Sequence, residues 1–314
     1  MASSKSFLKV LLLLNVLFFC NASITSFFSE LKDARRDNKN YMENENIIRD
    51  IKFNKDRTLD VYYDKKHTSE LKPVFIFLYG GGWYSGSKIK FTNFGSLLEE
   101  NDYVAVLPNY VLFPVGSFED MVDDVYKAIK WTFNNIKKYG GNPKNVNIAA
   151  YSAGSHLTAL TLLKPLLGYA NKNKFLEPLP TLEKVVLLNG PYDFDDYSVI
   201  RNVVGKETEN SLVENIAKVI FRSKDISPTD LLKPYPDNSI DRLGAKKFIF
   251  FYTSKDNQVK ESSAINFMKQ LRRVNPKVNI QYIYKEGYEH TTLTRGVRAG
   301  QEEQENVFLN LLIL

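Results

Sequence analysis

The stretch that decides the fold is "NVNIAAYSAGSHLTALTLL", residues 145–163. Its first seven residues form an apolar, β-prone run, and the residues from Gly154 onward have the apolar spacing of a helix. Only Ser152, Ala153 and Gly154 stand where the strand turns into the helix. Two interpretations fit: a plain tight turn, or a serine held on a sharp elbow that tolerates only small neighbours.

Outward from this stretch, β-prone runs alternate with amphipathic helical patterns, and helical patterns occupy 117–140, 154–170, 259–275 and 305–314. Such alternation predicts an α/β fold with a mostly parallel central sheet of about eight strands flanked by helices. We expect one domain over 48–314, with a helical cap inserted at 194–233. The polar segment 23–47 is expected to be a loose lead-in with a short helix. The predicted strands are 47–53, 58–64, 73–80, 103–110, 145–151, 183–190, 246–254 and 279–287.

The composition is that of an ordinary globular protein. The chain has 314 residues, 44% apolar content and a formal net charge of +6. Its lysines and arginines are scattered among acids rather than gathered in a basic helix or run. The charge therefore argues for solubility and against a nucleic-acid partner.

The first 22 residues have the pattern of a cleaved signal peptide: Lys5 and Lys9, an apolar run, and a small residue at Ala22. The apolar run is shorter than the roughly 20 residues that span a bilayer, so we expect no stable membrane span in the mature chain. These features predict the secretory pathway and secretion, with the endoplasmic reticulum or a membrane-associated location as the alternative. Removal of residues 1–22 would take away Cys20, the only cysteine.

If Ser152 is a nucleophile, it needs a histidine as its base, and the chain has three. His156 lies four residues further along the same helix, which favours a packing role. His67 lies in a charged loop, where a solvated surface residue is expected. His290 directly follows the last predicted strand, where catalytic side chains collect, and is therefore the predicted base.

The acid that orients the histidine is expected between the serine and the histidine in chain order. Asp256 follows the next-to-last predicted strand, 34 residues before His290. Asp193, one strand earlier, is the alternative. The order serine, acid, histidine favours Asp256.

The triple glycine after the strand 73–80 predicts a backbone loop that approaches a substrate closely. The amides of Gly81 and Gly82, together with that of Ala153, are the candidates for an oxyanion hole. A merely flexible loop is the alternative interpretation. Trp83 is the candidate for lining the substrate pocket, with a core position as the other possibility.

The stretches "YGGGWYSGSK", "LPNYVLFP", "KYGGNPKNVNIAAYSAGSH", "NGPYD" and "SPTDLL" resemble the α/β-hydrolase superfamily over roughly residues 50–300. Within it the chain is similar to esterases with an HGG-type oxyanion loop, of the isoprenylcysteine methylesterase and feruloyl- or carboxylesterase type. The resemblance implies an α/β-hydrolase fold and a serine carboxylesterase for a small or medium ester, with no cofactor or metal. It implies Ser152, Asp256 and His290 as the catalytic residues.

Three positions depart from that family's pattern. Ala150 replaces the first glycine of the elbow, and Tyr79 replaces the histidine that opens the oxyanion loop. The sequence 109–111 reads Asn-Tyr-Val where Asp-Tyr-Arg is common, which removes a charge pair. These changes bear on loop bracing and substrate choice rather than on the chemistry.

Two other functions are compatible with the same pattern. A serine peptidase or amidase would use the same three residues, and a non-catalytic protein of this fold would only bind a small molecule. The physiological ester is also open, since the methylesterase resemblance suggests the cytosolic face of a membrane and residues 1–22 suggest the secretory route.

Overall fold

The computed structural model describes residues 24–194 and 225–314. Within these ranges the eight predicted strands are confirmed, with ends that shift by a few residues. Gly141–Tyr151 is longer than expected at its amino end. The strands are β1 Ile47–Asn54, β2 Arg57–Tyr62, β3 Lys72–Leu78, β4 Val104–Pro108, β5 Gly141–Tyr151, β6 Leu182–Leu188, β7 Ala245–Thr253 and β8 Asn279–Lys285.

The strands form one sheet in the order β1-β2-β4-β3-β5-β6-β7-β8. β1 and β2 pair antiparallel, as do β2 and β4, and all the remaining pairs are parallel. From β5 onward the spatial order equals the chain order. The carboxyl ends of β5 to β8 therefore lie next to one another at one edge, where open α/β sheets bind ligands.

The helices are α1 Ile24–Glu43, α2 Thr92–Glu100, α3 Phe118–Asn135, α4 Ala153–Leu166, α5 Pro228–Leu232, α6 Glu261–Val274, α7 Thr292–Arg298 and α8 Glu302–Ile313. Two groups of these helices cover the sheet. One group packs α3 against α4, α4 against α5 and α5 against α6, and the other packs α1 against α2, α2 against α7 and α7 against α8. Burial on both sides explains why the central strands are apolar on both faces.

Helix α3 shows how local sequence sets the element bounds. Ser117 and Asp120 form a capping box, in which each side chain bonds the backbone of the other residue. A 3₁₀ turn, Ile136–Tyr139, follows, and Gly140 ends it in a left-handed conformation with φ 74°. The expected start at Ser117 and stop at Gly140 are thus confirmed.

The lead-in 23–47 differs from the expectation. Most of it is the 20-residue helix α1, not a loose segment with a short helix. Two polar-tipped residues on α1, Asp37 and Tyr41, are only 2% and 5% exposed. Asp37 forms a buried ion pair with Arg298 of α7. Because α1 is held by ion pairs and hydrogen bonds, hydropathy alone does not reveal its packing.

Two other expectations fall on parts of the chain outside the described residues. The predicted signal peptide 1–22 lies there entirely, and so does most of the predicted cap 194–233. Within the described ranges, no helix combines the length and the apolar character needed to cross a bilayer.

Candidate active site

Ser152 stands on a strained turn between β5 and α4. Its backbone has φ 50° and ψ −118°, a region that L-residues rarely occupy. The turn is fixed from both sides, because the Ser152 amide donates to the Leu188 carbonyl of β6 at 2.8 Å and the Ser152 carbonyl accepts from the His156 amide at 3.2 Å. Of the two interpretations of this stretch, the sharp elbow therefore agrees with the backbone, and the plain tight turn does not.

Close packing explains the small residues around Ser152. A Cβ atom at Gly154 would lie 2.3 Å from the carbonyl oxygen of Leu78, so helix α4 can start here only with glycine. Ala150 is fully buried in the centre of the sheet. The replacement of the usual glycine by Ala150 is therefore accommodated without loss of the turn.

The structure brings Ser152, His290 and Asp256 into one hydrogen-bonded row. The Ser152 hydroxyl lies 3.0 Å from His290 Nε2, and His290 Nδ1 lies 2.7 Å from Asp256 Oδ2. His290 and Asp256 are 4% and 3% exposed at their side chains. The three residues come from the loops after β5, β8 and β7. Because β6 and β7 lie between β5 and β8, the loops after β7 and β8 must bring Asp256 and His290 back toward Ser152.

Asp256 is held by more than the histidine. Its Oδ1 accepts hydrogen bonds from the amides of Gln258 at 2.8 Å and Val259 at 2.9 Å. Burial raises the pKa of this carboxyl, but the hydrogen bond and charge of His290 and the two amides outweigh burial and lower the pKa below its usual value. A carboxylate that stays ionised can hold the His290 Nδ1 proton and stabilise an imidazolium.

Two supporting residues were not predicted from the sequence. Asn189 follows β6 and donates from Nδ2 to Asp256 Oδ2 at 2.8 Å. Tyr151 precedes the serine and donates its hydroxyl to the His290 carbonyl at 3.2 Å. A polar residue directly after a predicted strand was a usable signal for Asn189, whereas nothing local distinguishes Tyr151 from a core tyrosine.

The alternative candidates lie elsewhere. Asp193 accepts a hydrogen bond from Asn266 at 2.7 Å, and its carboxyl does not meet His290. His156 is fully buried and bonds the Ile226 carbonyl through Nε2 at 2.7 Å. His67 is exposed and bonds Asp64 at 2.6 Å. The positions of His156 and His67 agree with the structural roles expected for these two histidines.

The glycine loop lies against Ser152. Gly81 has φ 135°, and a Cβ atom there would lie 2.2 Å from the Ser85 carbonyl oxygen, so this turn requires glycine. The amides of Gly81, Gly82 and Ala153 donate to no protein acceptor in the described part of the chain. Gly80, Gly81 and Gly82 line the same cavity as Ser152 and His290. The hydrogen-bonding capacity of the Gly81, Gly82 and Ala153 amides is therefore not used by the described part of the protein.

Two tyrosines brace the glycine loop. The rings of Tyr79 and Tyr110 stack at 4.6 Å between centroids, and the Tyr110 hydroxyl donates to the Tyr79 carbonyl at 2.9 Å. Asn109 adds a bond from the Lys88 amide at 2.8 Å. Tyr79 and Asn109, two of the positions that depart from the family pattern, thus help to brace the loop by stacking and a hydrogen bond instead of charge.

Trp83 does not line the cavity in front of Ser152. Its backbone has φ 68°, and its ring is 2% exposed and packs edge-on against Phe118 and His156. Its Nε1 donates to His156 Nδ1 at 3.1 Å. The expected pocket role of Trp83 is therefore corrected to the alternative core position, because the indole is buried against Phe118 and His156.

The cavity in front of Ser152 has a volume of about 780 Å³. One wall is the helix α1, which contributes Glu30, Asp33 and Asp37, and α7 contributes Arg295 and Arg298. The segment expected to be a loose lead-in is therefore part of the candidate site. In the described ranges no group of three or more histidine, cysteine or acidic side chains is arranged to hold a metal ion.

Comparison with known proteins places this geometry in a family. The chain is 28% identical over 241 residues to a probable isoprenylcysteine alpha-carbonyl methylesterase of Arabidopsis thaliana, covering 75% of this chain and 48% of the relative. It is 28% identical over 249 residues to the esterase LipC of Mycobacterium tuberculosis, covering 77% and 59%. The chain thus spans about half the length of the curated relatives it matches.

Solved structures share the fold. Esterase B from Lactobacillus rhamnosis has a TM-score of 0.67 at 15% identity, with 90% of each chain covered. A propionate-bound esterase from Thermogutta terrifontis has a TM-score of 0.62 at 18% identity, covering 86% of this chain and 94% of that one. The sheet and its helix layers are those of the α/β-hydrolase fold. The BD-FAE family model matches residues 59–271, and the chain belongs to that family.

Proposed function

We propose that this protein is a serine carboxylesterase that hydrolyses a small or medium ester through an acyl-enzyme intermediate. The row Ser152–His290–Asp256 carries the proposal, since its two contacts of 3.0 Å and 2.7 Å are hydrogen-bond distances. The esterase names of the relatives support the same reaction class.

The proposed reaction has two halves. His290 Nε2 takes the Ser152 proton as the oxygen attacks the ester carbonyl, and the Asp256 carboxylate stabilises the imidazolium through Nδ1. The amides of Gly81, Gly82 and Ala153 hold the oxyanion, and one such donor is typically worth about 3 kcal/mol of barrier. His290 then protonates the departing alcohol, and water attacks the acyl-serine in the second half to release the acid.

Ser152→Ala tests the proposal. The variant should fold normally and lose turnover of a 4-nitrophenyl ester, and a fluorophosphonate probe should label the wild type but not the variant. Ser117→Ala is the matched control, because this hydroxyl caps α3 and does not line the cavity. Retained turnover and labelling in Ser152→Ala would disprove the assignment. A matched anilide substrate separates the esterase from an amidase or peptidase.

The secretory route stays part of the proposal on the strength of residues 1–22 alone. We expect a mature protein that begins after Ala22 when the full chain is expressed in a eukaryotic secretory host. Mass spectrometry of its amino terminus measures this directly. A chain that retains residues 1–22 and stays with membranes would favour the membrane-associated alternative.

A further inference from the structure

Among the described residues, the lining of the cavity in front of Ser152 includes more charged than large apolar side chains. The large apolar side chains in this part of the lining are Ile89, Phe91, Tyr84 and Tyr151. A cavity for a long acyl chain would be lined mainly by apolar groups. In the described part of the chain, six charged side chains line this one: Glu30, Asp33, Asp37, Lys90, Arg295 and Arg298.

Some of these charges are already paired. Asp37 forms the buried ion pair with Arg298 and a second contact, of 2.9 Å, with Arg36. Asp33 pairs with the same Arg36 at 2.9 Å. The negative charge of the wall formed by α1 is thus largely neutralised, and Glu30, Lys90 and Arg295 are the other charged residues of the lining within the described ranges.

Arg295 stands out among them. It lies on α7, five residues after His290, and its amide donates to the Thr291 carbonyl at 2.8 Å, so the backbone is fixed. Its guanidinium makes no ion pair or hydrogen bond with any described residue. Arg295 is exposed, and it lines the same cavity as Ser152.

Lys90 adds a second cation to the same cavity. Its carbonyl accepts from Arg298 Nε at 2.9 Å, while its amino group has no ion-pair partner in the described ranges. Burial, then the nearby Arg298 charge, lower the Lys90 pKa below its usual value, although Glu30, Asp37 and Asp33 act in the opposite direction. A bound anion would give Lys90 a partner of opposite charge.

We propose that Arg295, with Lys90 on the same cavity, forms a subsite for an anionic group carried by the ester, such as a carboxylate. The inference rests on the proposed esterase function and narrows its substrate class to negatively charged esters. A guanidinium can bind a carboxylate by two parallel hydrogen bonds, which fixes the position of the ester as well as its charge. Arg295 acts as a specificity-determining residue and takes no part in bond breaking.

Two matched substrate pairs locate the anion. Phenyl hemisuccinate against phenyl valerate places the charge on the acyl side, and 3-acetoxybenzoate against 3-isopropylphenyl acetate places it on the alcohol side. The measured quantity is the ratio of kcat/KM for the anionic ester to that for its neutral partner. We expect the wild type to favour the anionic member of one pair, and the pair identifies the side.

Arg295→Met should lower that ratio by roughly tenfold or more, because a charge-assisted pair is lost. Arg295→Lys should retain part of the preference, and added salt should reduce the wild-type ratio. Arg272→Met is the matched control, since this exposed arginine on α6 does not line the cavity and the ratio should not change. Equal ratios for the wild type and Arg295→Met in both pairs would overturn the subsite.

A binding measurement separates failure of the subsite from failure of the esterase. In Ser152→Ala, calorimetric titration with phenyl hemisuccinate and with 3-acetoxybenzoate should show that one of them binds, and adding Arg295→Met should weaken that binding. If the wild type hydrolyses neutral esters but Arg295→Met does not weaken binding of either anionic ester, the proposed esterase function stands and the proposed subsite is wrong. If Arg295 is needed to bind an anionic ester but the wild type hydrolyses no ester, the proposed subsite stands and the proposed esterase function is wrong.

Discussion

At the scale of single residues, the site depends on a few side chains held by many bonds. Asp256 accepts four hydrogen bonds, from His290, Asn189 and the amides of Gln258 and Val259. Ser152 has a strained backbone that its neighbours maintain. The reacting groups are therefore positioned before a substrate arrives, which is the condition for efficient proton transfer.

Asp256→Asn should fold like the wild type and lower kcat by roughly 10³ to 10⁴. The amide can still accept the two backbone bonds, but it cannot hold the Nδ1 proton as a carboxylate does, so His290 is left in the wrong tautomer. Steady-state kinetics with a neutral ester measure the loss. Asp193→Asn, the same change one strand away, should leave kcat near the wild-type value. Similar losses in both variants would contradict the assignment of the acid.

His156 predicts an acid-sensitive stability. Burial lowers its pKa from 6.5 to about 4, with the Lys164 charge acting in the same direction and the bond to Ile226 opposing it. The unfolded chain then binds more protons than the folded one between these values, so the free energy of unfolding falls as the pH drops from about 6.5 to about 4. The shift corresponds to roughly 3 kcal/mol.

Urea unfolding of the wild type and His156→Gln across this pH range measures the effect. The variant is expected to be less stable at pH 7 but to show a flatter pH dependence. His67→Gln changes an exposed imidazole and serves as the control. An unchanged slope in His156→Gln would contradict the prediction.

At the scale of elements, the glycine loop after β3 is held by a residue that follows β4. Tyr110, after β4, holds the carbonyl of Tyr79, the residue that opens the glycine loop. The strands and the Ser117 start of α3 follow from periodicity and capping and were predictable from the sequence. The Tyr79–Tyr110 brace was not, because a stacked pair 31 residues apart leaves no local pattern.

Tyr110→Phe isolates this brace. Loss of the hydroxyl should cost about 1 kcal/mol of unfolding free energy and lower kcat by roughly tenfold, a fraction of the 10²- to 10³-fold lost with a whole oxyanion donor. Tyr126→Phe is the matched control, since its hydroxyl also donates to a backbone carbonyl at 2.9 Å, that of Glu177, away from the cavity. It should cost similar stability with no change in kcat. Equal kinetics in the two variants would show that the brace does not act on the oxyanion loop.

At the scale of the whole molecule, α1 is joined to the hydrolase core by polar contacts. Asp37 meets Arg298, and Asn40 donates to Asn93 of α2 at 2.9 Å. Sequence patterns predicted the sheet and brought Ser152, Asp256 and His290 to one edge, because strand ends are local features. They did not predict that α1 walls the cavity, since its packing joins residues more than 250 positions apart.

Asp37→Asn should weaken the attachment of α1 to the rest of the protein. Removing one charge of a buried pair leaves Arg298 uncompensated and typically costs about 3 kcal/mol. Hydrogen exchange should become faster in α1 while β3 stays protected. Asp33→Asn breaks the more exposed pair with Arg36 and should cost less than about 1 kcal/mol. Unchanged exchange in α1 of Asp37→Asn would show that the ion pair does not hold the helix.

The neighbouring strands β5 to β8 fix the points from which the loops of the site start. Ser152, Asn189, Asp256 and His290 each follow one of these strands, and parallel strands keep a fixed spacing of about 4.8 Å. The strand ends from which these residues start therefore keep their positions however long the intervening crossovers are. The crossovers can therefore be lengthened, shortened or exchanged in evolution or by design. Such changes would alter which molecules reach Ser152, while the strand ends that carry the catalytic residues stay in place.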